Sequence, residues 1–181
     1  MQNTITIEKN FGNTYIGDSP EYAVDSAINE LLNQLANKKY KFQNIKRKPT
    51  SDTVFKIKHN NLKSTNHIIK QYLDHSSKIE VALKDIDSVV PFGKQIVLHT
   101  LNDLYFQALD NFNIDFLSCE IDIEKIREHS DQIIEYIIIK LKNAAFESKN
   151  TPTFKEYIEL GINVIVAYAF IECVIMENPN L

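Results

Sequence analysis

The side chains that could hold a metal ion are scattered along this sequence rather than grouped. There are five histidines: His59, His67, His75, His99 and His129. His67 and His75 share a predicted helix but are eight residues apart, and two ligands on one helical face need a spacing of about four. The acidic residues Asp110, Asp115, Glu120, Asp122 and Glu124 surround a predicted connector. Their spacing does not make them converge as a metal nuclease requires, so we predict no metal site.

Nucleophilic and phosphate-binding patterns are equally incomplete. The four glycines form neither a P-loop nor a dinucleotide-binding pattern: Gly12, Gly17, Gly93 and Gly161. No nucleophile elbow surrounds a serine. Cys119 and Cys173 do not belong to a Cys-x-x-Cys pair, which is typical of reduced thiols in a cytoplasmic protein. We therefore predict that the chain is not an enzyme and binds no cofactor.

The charge is unevenly distributed along the chain. Residues 38–73 carry ten Lys and Arg and one acid, whereas residues 74–181 carry nine Lys and Arg and eighteen acids. Between residues 38 and 48, aromatic side chains alternate with cations, which suits phosphate contact and base stacking. A solvated connector or a surface for an acidic protein explains the same composition. The residues of the nucleic-acid hypothesis are Lys38, Lys39, Lys41, Lys46, Arg47 and Lys48.

A short β-hairpin is predicted at the N-terminus, as a unit of residues 1–18. Apolar residues alternate on both sides of a turn-like stretch within residues 4–16. An isolated hairpin is only marginally stable in water. We therefore expect it to pack on the helices or to pair with another copy, with Phe11, Tyr15 and Ile16 as interface candidates.

Residues 19–181 are predicted to form an α-helical domain. Apolar residues recur at helical spacing in segments that begin at Ser19, Ser51, Ser64 and Pro91. A short turn of helix is predicted from Asp122, a longer helix capped by Ser130 to about residue 148, and a last helix from residues 151–153 to about 177. The chain has 181 residues and is 44% hydrophobic, enough for one core. The predicted fold is mainly α: a bundle of about five to six helices with an N-terminal β-hairpin.

The last predicted helix is apolar on nearly every side between residues 160 and 176. A helix of this kind is buried all round, either at the centre of its own bundle or partly against a second chain. The interface candidates on it are Tyr168, Phe170, Glu172 and Met176. No apolar run reaches the roughly 18 residues of a membrane span, and no signal peptide begins the sequence. We therefore expect a cytoplasmic protein that does not contact a membrane.

Several strings resemble the C-terminal domain of bacterial ABC-three-component systems. They are HNNLKS at 59–64, IKQY at 69–72, PFGK at 91–94, LNDLY at 101–105, IREHSD at 126–131 and AYAFIECVIMENP at 167–179. Residues 10–17 resemble the short β segments that precede such domains. The resemblance covers roughly residues 50–180. None of these strings carries chemistry of its own.

The resemblance implies a role in antiviral defence of bacteria. Such domains are thought to attach an effector to a small middle component and an SMC- or Rad50-like ATPase. Residues 1–50 are too short for the enzyme that usually precedes the domain, so the chain is either an adaptor by itself or a piece of a larger effector. The sequence thus predicts a non-enzymatic assembly module, expected to form homo-oligomers, with a nucleic-acid-binding module as the alternative.

Overall fold

The computed structural model describes residues 24–37, 51–117 and 122–179. These residues form six α-helices: α1 (Ala27–Asn37), α2 (Ser51–His59), α3 (Asn66–Asp85), α4 (Gly93–Asn111), α5 (Ile123–Glu147) and α6 (Lys155–Ile171). A 3-10 turn, Ile86–Ser88, extends α3. No strand occurs in these ranges, which confirms the mainly α prediction for them. The hairpin predicted within residues 1–18 lies outside the described residues.

Helix α6 lies at the centre of the bundle. It contacts α1, α3, α4 and α5, and most of its side chains from Ile158 to Phe170 are buried. A Cβ atom added at Gly161 would clash with Cδ2 of Leu32 in α1. Glycine at this position therefore lets α1 pack closely against α6. The apolar character of the helix is explained by four neighbouring helices of its own chain.

Three helices end in the same left-handed turn. The residues with positive φ are Asn61 (54°), Asn113 (53°) and Cys173 (59°). The next N–H in each case donates to the carbonyl five residues earlier, at 3.1 Å for Leu62 to Ile57, 2.9 Å for Ile114 to Leu109 and 2.9 Å for Val174 to Ala169. This Schellman arrangement satisfies terminal carbonyls. It also ends α6 at Ile171, so the predicted extension to residue 177 is wrong.

The start of α1 also differs from the prediction. Residues 24–26 are not helical, and α1 begins at Ala27 rather than near Ser19. Ser26 N–H donates to Oδ1 of Asn150 at 2.8 Å, and Nδ2 of Asn150 donates back to the Ser26 carbonyl at 3.0 Å. The backbone of Lys149 adds a bond to the Val24 carbonyl at 3.0 Å. These bonds hold residues 24–26 on the α5–α6 connection, while the Ser26 carbonyl and hydroxyl accept N–H groups of α1, from Glu30 at 2.9 Å and Asn29 at 3.4 Å.

Helix α5 continues through Ser130, where the sequence predicted a new helix start. Ser130 is buried, and its hydroxyl donates to the Asn61 carbonyl at 3.3 Å instead of capping a helix. Ser64 does not cap α3, because the helix start has no side-chain cap bond; the carboxylate of Asp131 instead accepts the N–H groups of the turn just before α3. The distances are 3.2 Å from Lys63, 3.0 Å from Ser64 and 3.2 Å from Thr65. A side chain of one helix thus organises the start of another.

Candidate functional site

Helix α2 turns its polar side toward the core. Thr53, Lys56 and Asn60 are buried, whereas Val54 and Phe55 are 38% and 55% exposed. Spacings of three and four residues place the buried polar side chains on one helical face. A surface helix normally buries its apolar face instead. The orientation of α2 must therefore come from polar partners inside the protein.

Lys56 supplies the first of these polar contacts. Its side chain is 3% exposed, and Nζ donates to the Phe170 carbonyl at 2.6 Å and to the Ile175 carbonyl at 3.2 Å. Nζ also lies 4.8 Å from the centroid of the Phe170 ring, within the range of a cation–π contact. The C-terminal end of α6 favours a positive charge because of its helix dipole. A buried amine thus joins α2 to the end of α6.

The environment of Lys56 changes its acidity. Burial lowers the pKa of the amine below its ordinary value, because an ion is poorly solvated away from water. A hydrogen bond and charge interaction with Cys173, and the charge of Glu177, oppose this lowering but do not cancel it. Lys56 therefore loses its proton more readily than a lysine in water.

Asn60 and two residues of α4 hold the segment that follows α6. The Asn60 amide donates to the Glu177 carbonyl at 2.8 Å and accepts the Glu177 N–H at 3.0 Å. From α4, Nδ2 of Asn102 donates to the Val174 carbonyl at 2.9 Å, and the Tyr105 hydroxyl donates to Oε1 of Glu177 at 2.8 Å. We call Lys56, Asn60, Asn102 and Tyr105, together with residues 172–179, the C-terminal seam. Side chains from α2 and α4 satisfy its backbone, as strand pairing would do in a sheet.

Replacing Tyr105 with phenylalanine is expected to lower the free energy of unfolding by about 1 kcal/mol at pH 7, because one hydrogen bond to a charged group is lost. Burial, and then the charge and hydrogen bond of Glu177, raise the pKa of Tyr105. Above the ordinary tyrosine value of 10.0, the phenol ionises in the unfolded chain but not in the folded one. The stability of the wild type therefore falls there relative to Tyr105→Phe.

Urea denaturation at pH 7 and at alkaline pH measures this difference. The matched control is Tyr157→Phe at an exposed tyrosine, which should stay within about 0.5 kcal/mol of the wild type at pH 7. A gap between wild type and Tyr105→Phe that widens with alkaline pH would contradict the assignment.

The C-terminal seam lines a cavity of about 190 Å³. The side chains around it are Asp52, Thr53, Lys56, Ile171, Cys173, Asn178 and Pro179. The cavity brings together a buried amine and the thiol of Cys173, an exposed free cysteine. This pair offers a nucleophilic nitrogen and an oxidisable sulfur. Across the described residues, no three His, Cys, Asp or Glu side chains are placed to hold a metal ion.

The interface candidates predicted on the last helix fall in two classes. Tyr168, Phe170 and Met176 are buried, with exposures of 7%, 0% and 4%. They pack inside this chain and cannot reach a second chain without opening the fold, which corrects their assignment to an interface. Glu172, by contrast, is exposed beside the C-terminal end of α6. It would be a buried polar group if the helix were buried on all sides as far as residue 176.

The remaining sequence-based candidates lie outside the described residues. This applies to the hairpin residues Phe11, Tyr15 and Ile16. It applies equally to the cations of the nucleic-acid hypothesis, which are Lys38, Lys39, Lys41, Lys46, Arg47 and Lys48. Both sets therefore remain predictions from the sequence.

The exposed apolar surface of α6 lies at its other end. Phe154, Tyr157 and Leu160 are 57%, 44% and 38% exposed and follow one another at successive turns. The rings of Phe154 and Tyr157 meet edge to face, with centroids 5.4 Å apart. We call these three residues the Phe154 stripe. On the neighbouring helix α5, Ile139 and Phe146 are also exposed.

Sequence reasoning missed the Phe154 stripe because charged residues interrupt it. Lys155, Glu156 and Glu159 occupy the same turns, so the segment has the composition of an ordinary solvent-facing helix start. The available signal was the spacing of three residues between large apolar side chains. That spacing defines a line along one side of a helix.

Comparisons with known proteins identify no family for this chain. No family model matches it, and no curated protein and no solved structure matches it significantly. Within residues 24–37, 51–117 and 122–179, no helix combines the length and apolarity that a membrane crossing requires.

Proposed function

We propose that this protein is a non-enzymatic assembly module that docks other proteins through the Phe154 stripe. The observation that carries the proposal is the exposure of Phe154, Tyr157 and Leu160 at the start of a helix whose side chains from Val164 to Phe170 are all buried. The sequence resemblance to the C-terminal domain of ABC-three-component systems supports the same class of function. It adds bacterial antiviral defence as the context.

The chemistry of the Phe154 stripe suits a protein partner. Aromatic side chains are enriched at the centres of protein interfaces and often dominate their binding energy. A polar rim surrounds the apolar centre of such interfaces, and Lys155 and Glu159 provide one here, with Nζ and Oε1 3.4 Å apart. Their exposure makes this ion pair weak, so it can rearrange when a partner binds.

The partners proposed are a small middle component and an SMC- or Rad50-like ATPase, together with further copies of this chain. These partners follow from the resemblance, and the Phe154 stripe provides a surface on which they would dock. The test is co-purification of the chain with the proteins encoded beside its gene, together with light scattering of the chain alone. A mass above 20.9 kDa in light scattering identifies self-association.

Replacing Tyr157 with lysine should weaken assembly at least tenfold, because a charge would have to be buried at the centre of the interface. The matched control is Val89→Lys, at an exposed valine between α3 and α4. That variant should bind as the wild type does. Both variants should keep the thermal unfolding midpoint of the wild type, since both positions are exposed.

Two results would contradict the proposal. One is a wild-type chain that stays monomeric at high micromolar concentration and binds neither neighbouring protein. The other is equal loss of binding in Tyr157→Lys and Val89→Lys, which would show that the effect does not depend on the Phe154 stripe.

A further inference from the structure

The cavity beside the C-terminal seam places two reactive side chains against each other. Lys56 and Cys173 both line it, and Cys173 is among the groups whose charge acts on the Lys56 amine. The two carbonyl contacts of Lys56, to Phe170 and Ile175, fix Nζ at this position. The proposed assembly function uses neither side chain.

The two groups differ in their access to solvent. Cys173 is exposed, so a small oxidant can reach its sulfur. Lys56 is 3% exposed, so its nitrogen is shielded from other reagents but not from this sulfur. Because both side chains line one cavity, the reaction of an oxidised Cys173 with the Lys56 amine needs no second molecule.

We propose that Cys173 and Lys56 form a covalent sulfur–nitrogen cross-link when peroxide oxidises Cys173. The thiol first reacts with hydrogen peroxide to give a sulfenic acid and one water, so the sulfur is oxidised by two electrons and the peroxide is reduced. The lone pair of the neutral Lys56 amine then attacks the sulfur. The sulfur–oxygen bond breaks, and the hydroxide leaves as water with a proton from the amine.

The acidity of Lys56 favours the second step. Only the neutral amine is nucleophilic, and burial lowers the pKa of Lys56, which increases the neutral fraction at a given pH. The cross-link should therefore form faster as the pH rises from 7 to 9. Reduction by a thiol reverses it, as for other oxidised forms at the sulfenic level.

The consequence is a reversible covalent staple between α2 and the residues that follow α6. Closing so long a loop restricts the unfolded chain. The thermal unfolding midpoint should rise by about 5 to 10 °C after oxidation and return after reduction. Helix α2 would then be joined to residues 172–179 by a covalent bond as well as by hydrogen bonds.

Mass spectrometry of the full chain carrying Cys119→Ser tests the proposal, because Cys173 is then its sole thiol. Treatment with a small excess of hydrogen peroxide should lower the intact mass by about 2 Da, and dithiothreitol should restore it. Fragmentation after proteolysis should identify Lys56 and Cys173 as the linked pair.

Two variants in the same background serve as controls. Cys173→Ser should show no loss of mass. Lys56→Arg keeps a cation with donors for the carbonyls but lacks a nucleophilic amine, so its Cys173 should gain oxygen without a cross-link. If Lys56→Arg does not fold, the mass change and the linked pair found in the protein with Lys56 intact still decide the outcome. Oxygen added to Cys173 with Lys56 unlinked, or a disulfide dimer through Cys173, would overturn the proposal.

Discussion

Replacing Lys56 with methionine is expected to lower the free energy of unfolding by about 3 kcal/mol. Methionine fills a similar volume but donates no hydrogen bond. The Phe170 carbonyl would lose its Lys56 donor at 2.6 Å and keep the Cys173 N–H at 3.3 Å, and the Ile175 carbonyl would lose its Lys56 donor at 3.2 Å. An unsatisfied buried carbonyl costs about 1 to 3 kcal/mol.

Methionine also has an opposing effect, because it removes the free-energy cost of burying a charge. Replacing buried ions with apolar residues is often neutral when every partner is replaced too. Here the partners are backbone carbonyls that remain in place. Asn60 and Asn102 hold residues 172–179 by separate bonds, so the carbonyls cannot easily turn toward water. We therefore expect the loss of hydrogen bonds to outweigh the gain.

Urea denaturation of Lys56→Met measures this loss, with Lys58→Met as the matched control. Lys58 is exposed on the same helix, and its replacement should change stability by less than about 0.5 kcal/mol. The pKa of Lys56 is lowered on folding, so the unfolded chain binds more protons up to the ordinary value of 10.5. The stability of the wild type relative to Lys56→Met should therefore grow as the pH rises toward that value. Equal stability of Lys56→Met and Lys58→Met would show that α2 is held in another way.

The second large effect is expected for Asp131→Asn, with a loss of about 2 kcal/mol. The carboxylate accepts three backbone N–H groups, from residues 63–65, and the Thr65 hydroxyl at 2.8 Å. Asparagine keeps one acceptor oxygen and turns an NH₂ group toward these donors. The turn before α3 would then lose part of its attachment to α5.

The same contacts make this contribution dependent on acid. Burial acts to raise the pKa of Asp131, but hydrogen bonds from Ser64, Thr65 and Lys63 outweigh it and lower the pKa below 3.8. The contribution is therefore complete above about pH 3.8 and is lost as the pH falls through the lower folded value. Asp110→Asn, at an exposed aspartate, is the control for charge alone. A loss for Asp131→Asn that persists undiminished below that folded value would contradict the role of the ionised carboxylate.

The helices that form the core could be predicted from the sequence because each carries an apolar stripe. α3 and α4 have such stripes, α6 is apolar on nearly every side, and the starting points of all three are predicted within a few residues. The errors occur where a distant polar group decides the local structure. Asn150 holds Ser26 outside α1, and Ser130 bonds across to Asn61 within a continuous α5. Contacts between residues so far apart along the chain have no local signature.

The candidate site was harder to predict than the fold, because α2 buries polar side chains and exposes apolar ones, the reverse of an ordinary surface helix. From the pattern of hydrophobic residues alone, a lysine in a short helix is predicted to face solvent even where it is buried. Its partners are backbone carbonyls at the end of α6, and their position depends on the left-handed residue Cys173. Cysteine has no particular preference for that conformation. The end of α6, and with it the cavity, therefore could not be located from residue types.

The central position of α6 has a consequence for synthesis of the protein. A ribosome completes α1 to α5 before it makes α6, although each of α1, α3, α4 and α5 packs against it. Until α6 has been synthesised, the apolar faces that these helices turn toward it have no helix to pack against. Stable tertiary structure therefore has to wait until residues 155–171 have emerged, and the nascent chain is a natural client for chaperones that shield apolar surface during translation.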